Sequence, residues 1–185
     1  MEFKDILRQS LPLLILCGIG EILAGSLFGG ISEFIENLPG LIVLIPAIMG
    51  LKGNIDITLG SRLGSAVHMG VISSKNIWNK ETKENVYASL ALGVIMAVIA
   101  GTLAYITCIL LGLKSLPAWK LIGIALTSGI LAGTILAFFT VIIIIISFKR
   151  GLDPDNITAP LIATVGDIIT LSCIFLTALL FIKVV

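Results

Sequence analysis

Three acids interrupt stretches that are otherwise almost wholly apolar: Glu21 within Leu11–Ile31, Asp56 within Pro39–His68, and Asp167 within Leu161–Val185. Glu33 lies nearer an end. An acid at the centre of a bilayer is costly, by several kcal/mol or more, so one that is kept there marks an ion path, a proton relay or a partner on a neighbouring helix. Asp167 has no lysine or arginine within a helical turn. On a helix, Asn156, Pro160, Ala163, Asp167 and Thr170 recur at steps of four, three, four and three, which gathers a small, polar face around the carboxyl. The competing reading is a carboxyl that is protonated or tied to a neighbouring helix for packing alone.

A second stripe, Asn54, Thr58, Ser61 and Ser65, falls at steps of four, three and four. Just before it, Gly50-Leu-Lys-Gly-Asn54 offers two glycines where the backbone could open and present carbonyl oxygens, that of Gly53 among them. Lys52 and Asp56 are spaced i and i+4, for an internal salt bridge or for a supporting role beside an ion. Asp153, Asp155 and Asn156, in a polar stretch before the last apolar run, and Glu21 in the first span are further oxygen donors that could support such a site or form a second one. Amide, hydroxyl, carbonyl and carboxylate are hard donors, which suit magnesium or calcium better than copper or zinc. No Gly-x-Ser-x-Gly, Walker loop or His-Glu-x-x-His occurs, so the sequence offers no support for an enzyme. The single histidine, His68, falls at the end of a span, where an interfacial place is expected. Cys17, Cys108 and Cys173 each sit inside an apolar run without Cys-x-x-Cys spacing, as packing residues do.

The elements that must carry these residues follow from composition. The chain has 185 residues, 57% hydrophobic and only 12% charged, with a mean hydropathy of +1.14; a soluble domain carries about 25% charged residues and is excluded. A span takes about 20 apolar residues, so the length admits about five helices. Apolar runs of this length do not alternate as barrel strands do. The expected fold is an all-α integral membrane protein with five transmembrane helices at about 11–35, 39–68, 86–112, 120–148 and 159–183. The second is too long for an upright crossing and must tilt, break or project. Gly25-x-x-x-Gly29 gives the first span a smooth face; Gly93, Ala97 and Gly101 do so in the third, and Ala125, Gly129, Gly133 and Ala137 in the fourth. Ser73–Glu84 reads as a solvated loop or surface helix, and Leu152–Pro160 as a polar link.

A net charge of +1 gives no field for nucleic acid, and the expected surroundings are the lipid bilayer of a cell membrane. With the N-terminus cytosolic, the inner segments hold Lys4, Arg8, Arg62, Lys75, Lys80, Lys83, Lys149 and Arg150, and the outer ones Lys114, Lys120 and Lys183. Eight against three places the N-terminus inside and the C-terminus outside.

The stretch Ile45-Pro-Ala-Ile-Met-Gly-Leu-Lys-Gly-Asn-Ile-Asp-Ile-Thr-Leu-Gly-Ser-Arg-Leu-Gly-Ser65 resembles the start of the MgtE-type magnesium transporter membrane domain, in the variant of the solute-carrier 41 transporters. Leu152-Asp-Pro-Asp-Asn-Ile-Thr-Ala-Pro-Leu-Ile-Ala-Thr-Val-Gly-Asp-Ile-Ile-Thr-Leu171 resembles a second block of the same family, in the expected order. The resemblance implies a dimer that passes divalent cations, magnesium above all, along its two-fold axis. It implies that Asp167 is the carboxylate holding a hydrated ion, that the Ala163 carbonyl faces the same ion, and that Asn54 belongs to the Gly-Asn element of the second span. Thr58, Ser61, Ser65, Thr164 and Thr170 would then line the path. Bacterial members carry long cytosolic regulatory domains, and this chain starts about ten residues before its first span, so a single membrane domain without such a sensor is expected. Animal members hold two such domains in one polypeptide; here two chains must assemble, as a homodimer or with a paralogue. A manganese, cobalt or calcium carrier, and a membrane subunit that scaffolds a partner without transporting, are the alternatives.

Overall fold

The computed structural model describes residues 3–36, 38–73, 76–150 and 154–183, the side chains of 3–6, 9, 154–156 and 182–183 excepted. It is a bundle of five long helices and one short one: α1 Phe3–Gly30, α2 Ser32–Glu36, α3 Leu41–His68, α4 Lys80–Leu110, α5 Ala118–Lys149 and α6 Pro154–Lys183. All five long helices are long and apolar enough to cross a membrane. The all-α five-helix class expected from composition is therefore the observed one.

The helix ends differ from the sequence reading for local reasons. The first span stops at Gly30 rather than near 35, and the chain turns at Ile31 into the short α2. Helix α4 begins at Lys80, six residues before Val86, so part of the connector belongs to it. Asn79 caps it: the side-chain oxygen accepts from the Thr82 N–H at 2.9 Å, and the amide donates to the Val71 carbonyl at 2.7 Å. Helix α6 begins at Pro154, a favoured residue in a first turn, and the link expected as far as Pro160 is largely helical. Pro160 lacks an N–H, which frees the carbonyl of Asn156 four residues back. Gly40 takes φ 94°, a left-handed turn into α3 that favours glycine, and the Leu116 N–H donates to the Pro39 carbonyl at 2.8 Å, tying this turn to the α4–α5 loop. Helix α3 runs unbroken through Pro46, Gly50 and Gly53. The expected opening of the backbone at those glycines does not occur, because an α-helix without a Cβ is weakened but still closes its i to i+4 bonds.

Helix α3 packs on α4, α5 and α6, whereas α1 is held by α6 and touches the short α2. Small residues set the closest approaches. A Cβ on Gly101 of α4 would lie 2.8 Å from the Cα of Ile122 on α5, and one on Gly129 would lie 3.2 Å from the Cβ of Ala97. The two ladders read from the sequence thus meet each other. The Gly25/Gly29 face does not: nothing lies within 4 Å of a Cβ built at either residue. The seam of α1 against α6 runs instead through Cys17, Gly20 and Ala24, at steps of three and four. Two apolar clusters fill the bundle. One joins Leu41–Ile48 to Ala97–Ala104, Leu121–Ala125 and Leu171–Ala178, and the other joins Leu59–Val67 to Ala137–Ile144.

The contrast between glycines gives a stability test. Gly101→Val must push α4 off the backbone of α5 and is expected to lose about 1–3 kcal/mol, while Gly25→Val should stay within about 0.5 kcal/mol. Thermal unfolding in detergent measures both, and equal effects would contradict the packing described.

Candidate ion site

Helix α3 has two faces with opposite fates. Lys52, Asp56, Leu59 and Leu63 are buried in the bundle, whereas Gly50, Asn54, Thr58, Ser61 and Ser65 are exposed on the surface of the protomer. The Lys52 Nζ lies 3.1 Å from both carboxylate oxygens of Asp56, donating a hydrogen bond to Oδ1. Oδ2 is as near but off the hydrogen-bonding direction and has no other partner. This pair sits between the two apolar clusters. Its lysine fits because α4 and α5 present glycines there: a Cβ on Gly133 would come within 2.8 Å of Nζ, and one on Gly93 within 3.9 Å. The internal salt bridge read as one alternative for Lys52 and Asp56 is the arrangement found.

The outward stripe has few internal partners. The Thr58 hydroxyl donates to the Asn54 carbonyl at 2.7 Å; the Asn54 amide and the Ser61 and Ser65 hydroxyls make no side-chain hydrogen bond among the described residues. Gly53 has open space beside it, and its carbonyl accepts the Ile57 N–H within the helix.

Helix α6 runs antiparallel to α3 and α5, since Gly60 lies against Thr158 and Ile162, Gly166 against Leu136, and Gly123 against Phe181. Seven residues back along α3 and on along α6, this register brings Asp167 level with Gly53 and Asn54. Asp167 is half-buried, and the Glu21 carboxyl of α1 lies against it, near enough for a side-chain hydrogen bond. Ala163, one turn earlier, is also half-buried; its carbonyl accepts the Asp167 N–H in the helix and keeps one lone pair. Thr164 is buried against Gly20 in the α1 seam, and Thr170 is buried with its hydroxyl unpartnered. Asp153 lies outside the described residues, as do the side chains of Asp155 and Asn156 in the first turn of α6.

No three acidic, histidine or cysteine side chains converge among the described residues. His68 is exposed at the end of α3, its ring edge-on to Phe148, and the three cysteines are free and buried. What the geometry offers is a pair of carboxyls from α1 and α6 at the depth of a polar, unpartnered α3 face. Bare-ion coordination needs more protein ligands than that, whereas an ion that keeps much of its water does not. Sequence reasoning placed Glu21 in a supporting group but not against Asp167. It also missed Gly20 and the room that Gly93 and Gly133 make for Lys52; the Cys17, Gly20, Ala24 spacing was the one available signal for the α1 seam.

A helical, multi-pass membrane protein with acids inside its spans and an exposed polar helix face level with one of them is built as membrane transport proteins are. Residues 45–177 match the MgtE family, described as a divalent cation transporter. The chain belongs to that family. It is 33% identical over 175 residues to mouse solute carrier family 41 member 2, an alignment covering 89% of this chain and 29% of the relative. Against rat solute carrier family 41 member 3 the identity is 31% over 182 residues, covering 94% and 38%, and against human solute carrier family 41 member 2 it is 32% over 175 residues, covering 89% and 29%. The chain thus spans about a third of the length of these relatives. No solved structure matches it.

The two faces of α3 predict two kinds of variant. Asp56→Leu leaves the Lys52 charge buried and unpaired, for an expected loss of about 3–5 kcal/mol, much of it restored by adding Lys52→Met. Asn54→Leu, on the open face, should change stability by no more than about 0.5 kcal/mol. Unfolding in a denaturing detergent series ranks the three.

Proposed function

We propose that this chain carries magnesium across the membrane along a path between two copies of itself, with Asp167 as the central carboxylate. The observation that carries this reading is the exposed polar face of α3, level with Asp167. Against hydrocarbon the Asn54 amide, without a side-chain partner, would stand desolvated, with the Thr58 hydroxyl one turn on and Ser61 and Ser65 toward the helix end. Against a second copy across a two-fold axis they line water, and one five-helix unit has too few helices to enclose such a path alone. Two copies bring two Asp167 carboxylates to the axis, a charge that matches a divalent ion, with Glu21 beside each as a supporting acid from α1. Magnesium gives up its water reluctantly, so carboxylates, Asn54 and the hydroxyls would contact its hydration shell, and passage would depend on the size of the hydrated ion. The N-terminus is cytosolic in this reading, since the bundle end where α4 begins and α5 finishes carries most of the basic residues.

Protein purified into liposomes tests this. Glu21→Gln should slow magnesium entry by about tenfold, and Asp167→Asn by more, with folding intact. Wild-type rate and selectivity in Asp167→Asn would refute the assignment, and preferred flux of manganese, cobalt or calcium would move the substrate. For assembly, Ala163→Cys should form a disulfide between copies; a protein that transports as single copies would contradict the path proposed.

A further inference from the structure

Between α4 and α5, near the start of α4, a cavity of about 390 Å³ opens on the outside of the bundle. Val86 and Leu90 of α4 and Ile135 and Phe138 of α5 line it. Trp78 closes it toward the helix ends, stacked on Phe138 with ring centroids 6.3 Å apart and planes 21° from parallel. Thr134 brings the only hydroxyl in the lining, and it donates to the Ile130 carbonyl at 2.8 Å. Apart from the Trp78 indole at the rim, the groove offers carbon. It suits a hydrocarbon chain and has nothing to hold an ion or a sugar.

The rim is basic. Lys83 stands three residues before Val86 and seven before Leu90, on the same face of α4 as the groove. It is exposed and has no ion pair among the described residues, while Lys80 is held by Glu84 at 3.6 Å. Because α4 and α5 run antiparallel, Ala97 facing Gly129 and Gly101 facing Ile122, the exposed Lys149 and Arg150 come to the same end. Four basic side chains there stand against the acids Glu81 and Glu84. A tryptophan with an apolar body and an N–H at the edge is the residue type found at the headgroup level of a bilayer.

We propose that this groove is a binding site for an anionic phospholipid of the adjoining leaflet, one acyl chain lying between α4 and α5 and the phosphate at Lys83. Any open apolar groove in a bilayer is wetted by lipid chains; the unpaired ammonium one turn above it discriminates by headgroup charge.

The chain has two tryptophans, and Trp119, in the first turn of α5, lies at the opposite end of the bundle. In the full chain carrying Trp119→Phe, the fluorescence of Trp78 reports on the groove alone. In phosphatidylcholine vesicles, phosphatidylglycerol brominated on its acyl chains is expected to quench Trp78 at about fivefold lower mole fraction than brominated phosphatidylcholine, the preference one lysine provides. Adding Lys83→Gln should cut that preference to less than about twofold, the remainder left by the other bases at this end, and adding Val86→Phe should weaken quenching by both lipids. Equal quenching by the two lipids before any change at Lys83 overturns the proposal, as does quenching by neither, or a preference that Lys83→Gln leaves undiminished.

Discussion

How α3 is turned about its own axis is tied to the burial of one ion pair, the Lys52 ammonium 3.1 Å from the Asp56 carboxylate, sealed in the bundle against the glycines of α4 and α5. Turning the helix half a revolution would carry the charged pair to the outer face of the protomer, away from the glycines that fit it, and push Asn54 and the serines into two apolar clusters without partners. The glycines of α4 and α5 are the complement of this contact: Gly93 and Gly133 leave the space that the lysine end occupies, and Gly129 and Gly101 let the two helices close around it. Lys52 and Asp56 therefore act on the open face of α3 without being part of it. They hold Asn54 outward.

The same register decides what α6 can present. With Gly60 packed under Thr158 and Ile162, Asp167 comes to the depth of Asn54, and α1 is drawn onto α6 at Gly20 so that Glu21 meets Asp167. Helix α1 has little other support, being largely exposed on its remaining sides. A helix attached along one seam of small residues, with its acid at that seam, ties the first span to the carboxyl site directly. In a membrane such an arrangement leaves three polar or small surfaces unpartnered in the protomer: the α3 stripe, the Gly25/Gly29 face and the rim around Asp167. The second copy proposed above would cover them with the same chemistry.

Much of this was legible in the sequence. Five apolar runs gave five helices, because a span must meet its backbone hydrogen bonds internally and a helix is the way one segment does so. The steps of three and four that grouped Asn54 with Thr58, Ser61 and Ser65, and Lys52 with Asp56, survive in the fold, since residues at those spacings share a helix face whatever surrounds it. The small-residue ladders of α4 and α5 were likewise readable as close contacts.

Tertiary structure alone decided which face points where and who meets whom. Gly25-x-x-x-Gly29 has the same spacing as the ladders that pack, yet stands free, while Gly20 makes the contact; a spacing states that close approach is allowed, not that a neighbour arrives. Thr164 and Thr170 stand three residues either side of Asp167, about 60° round the helix from it, and are buried where Asp167 is half-buried, because the seam with α1 and the bundle cover those sides. Gly50 and Gly53 of α3 suggested an opened backbone, and the helix stays closed through them on its own i to i+4 bonds, with nothing packed beside either. Within one helix, periodicity is set by local geometry and is written in the chain; the pairing of Glu21 with Asp167, some 146 residues apart, depends on the register between helices, which only the sum of their contacts determines.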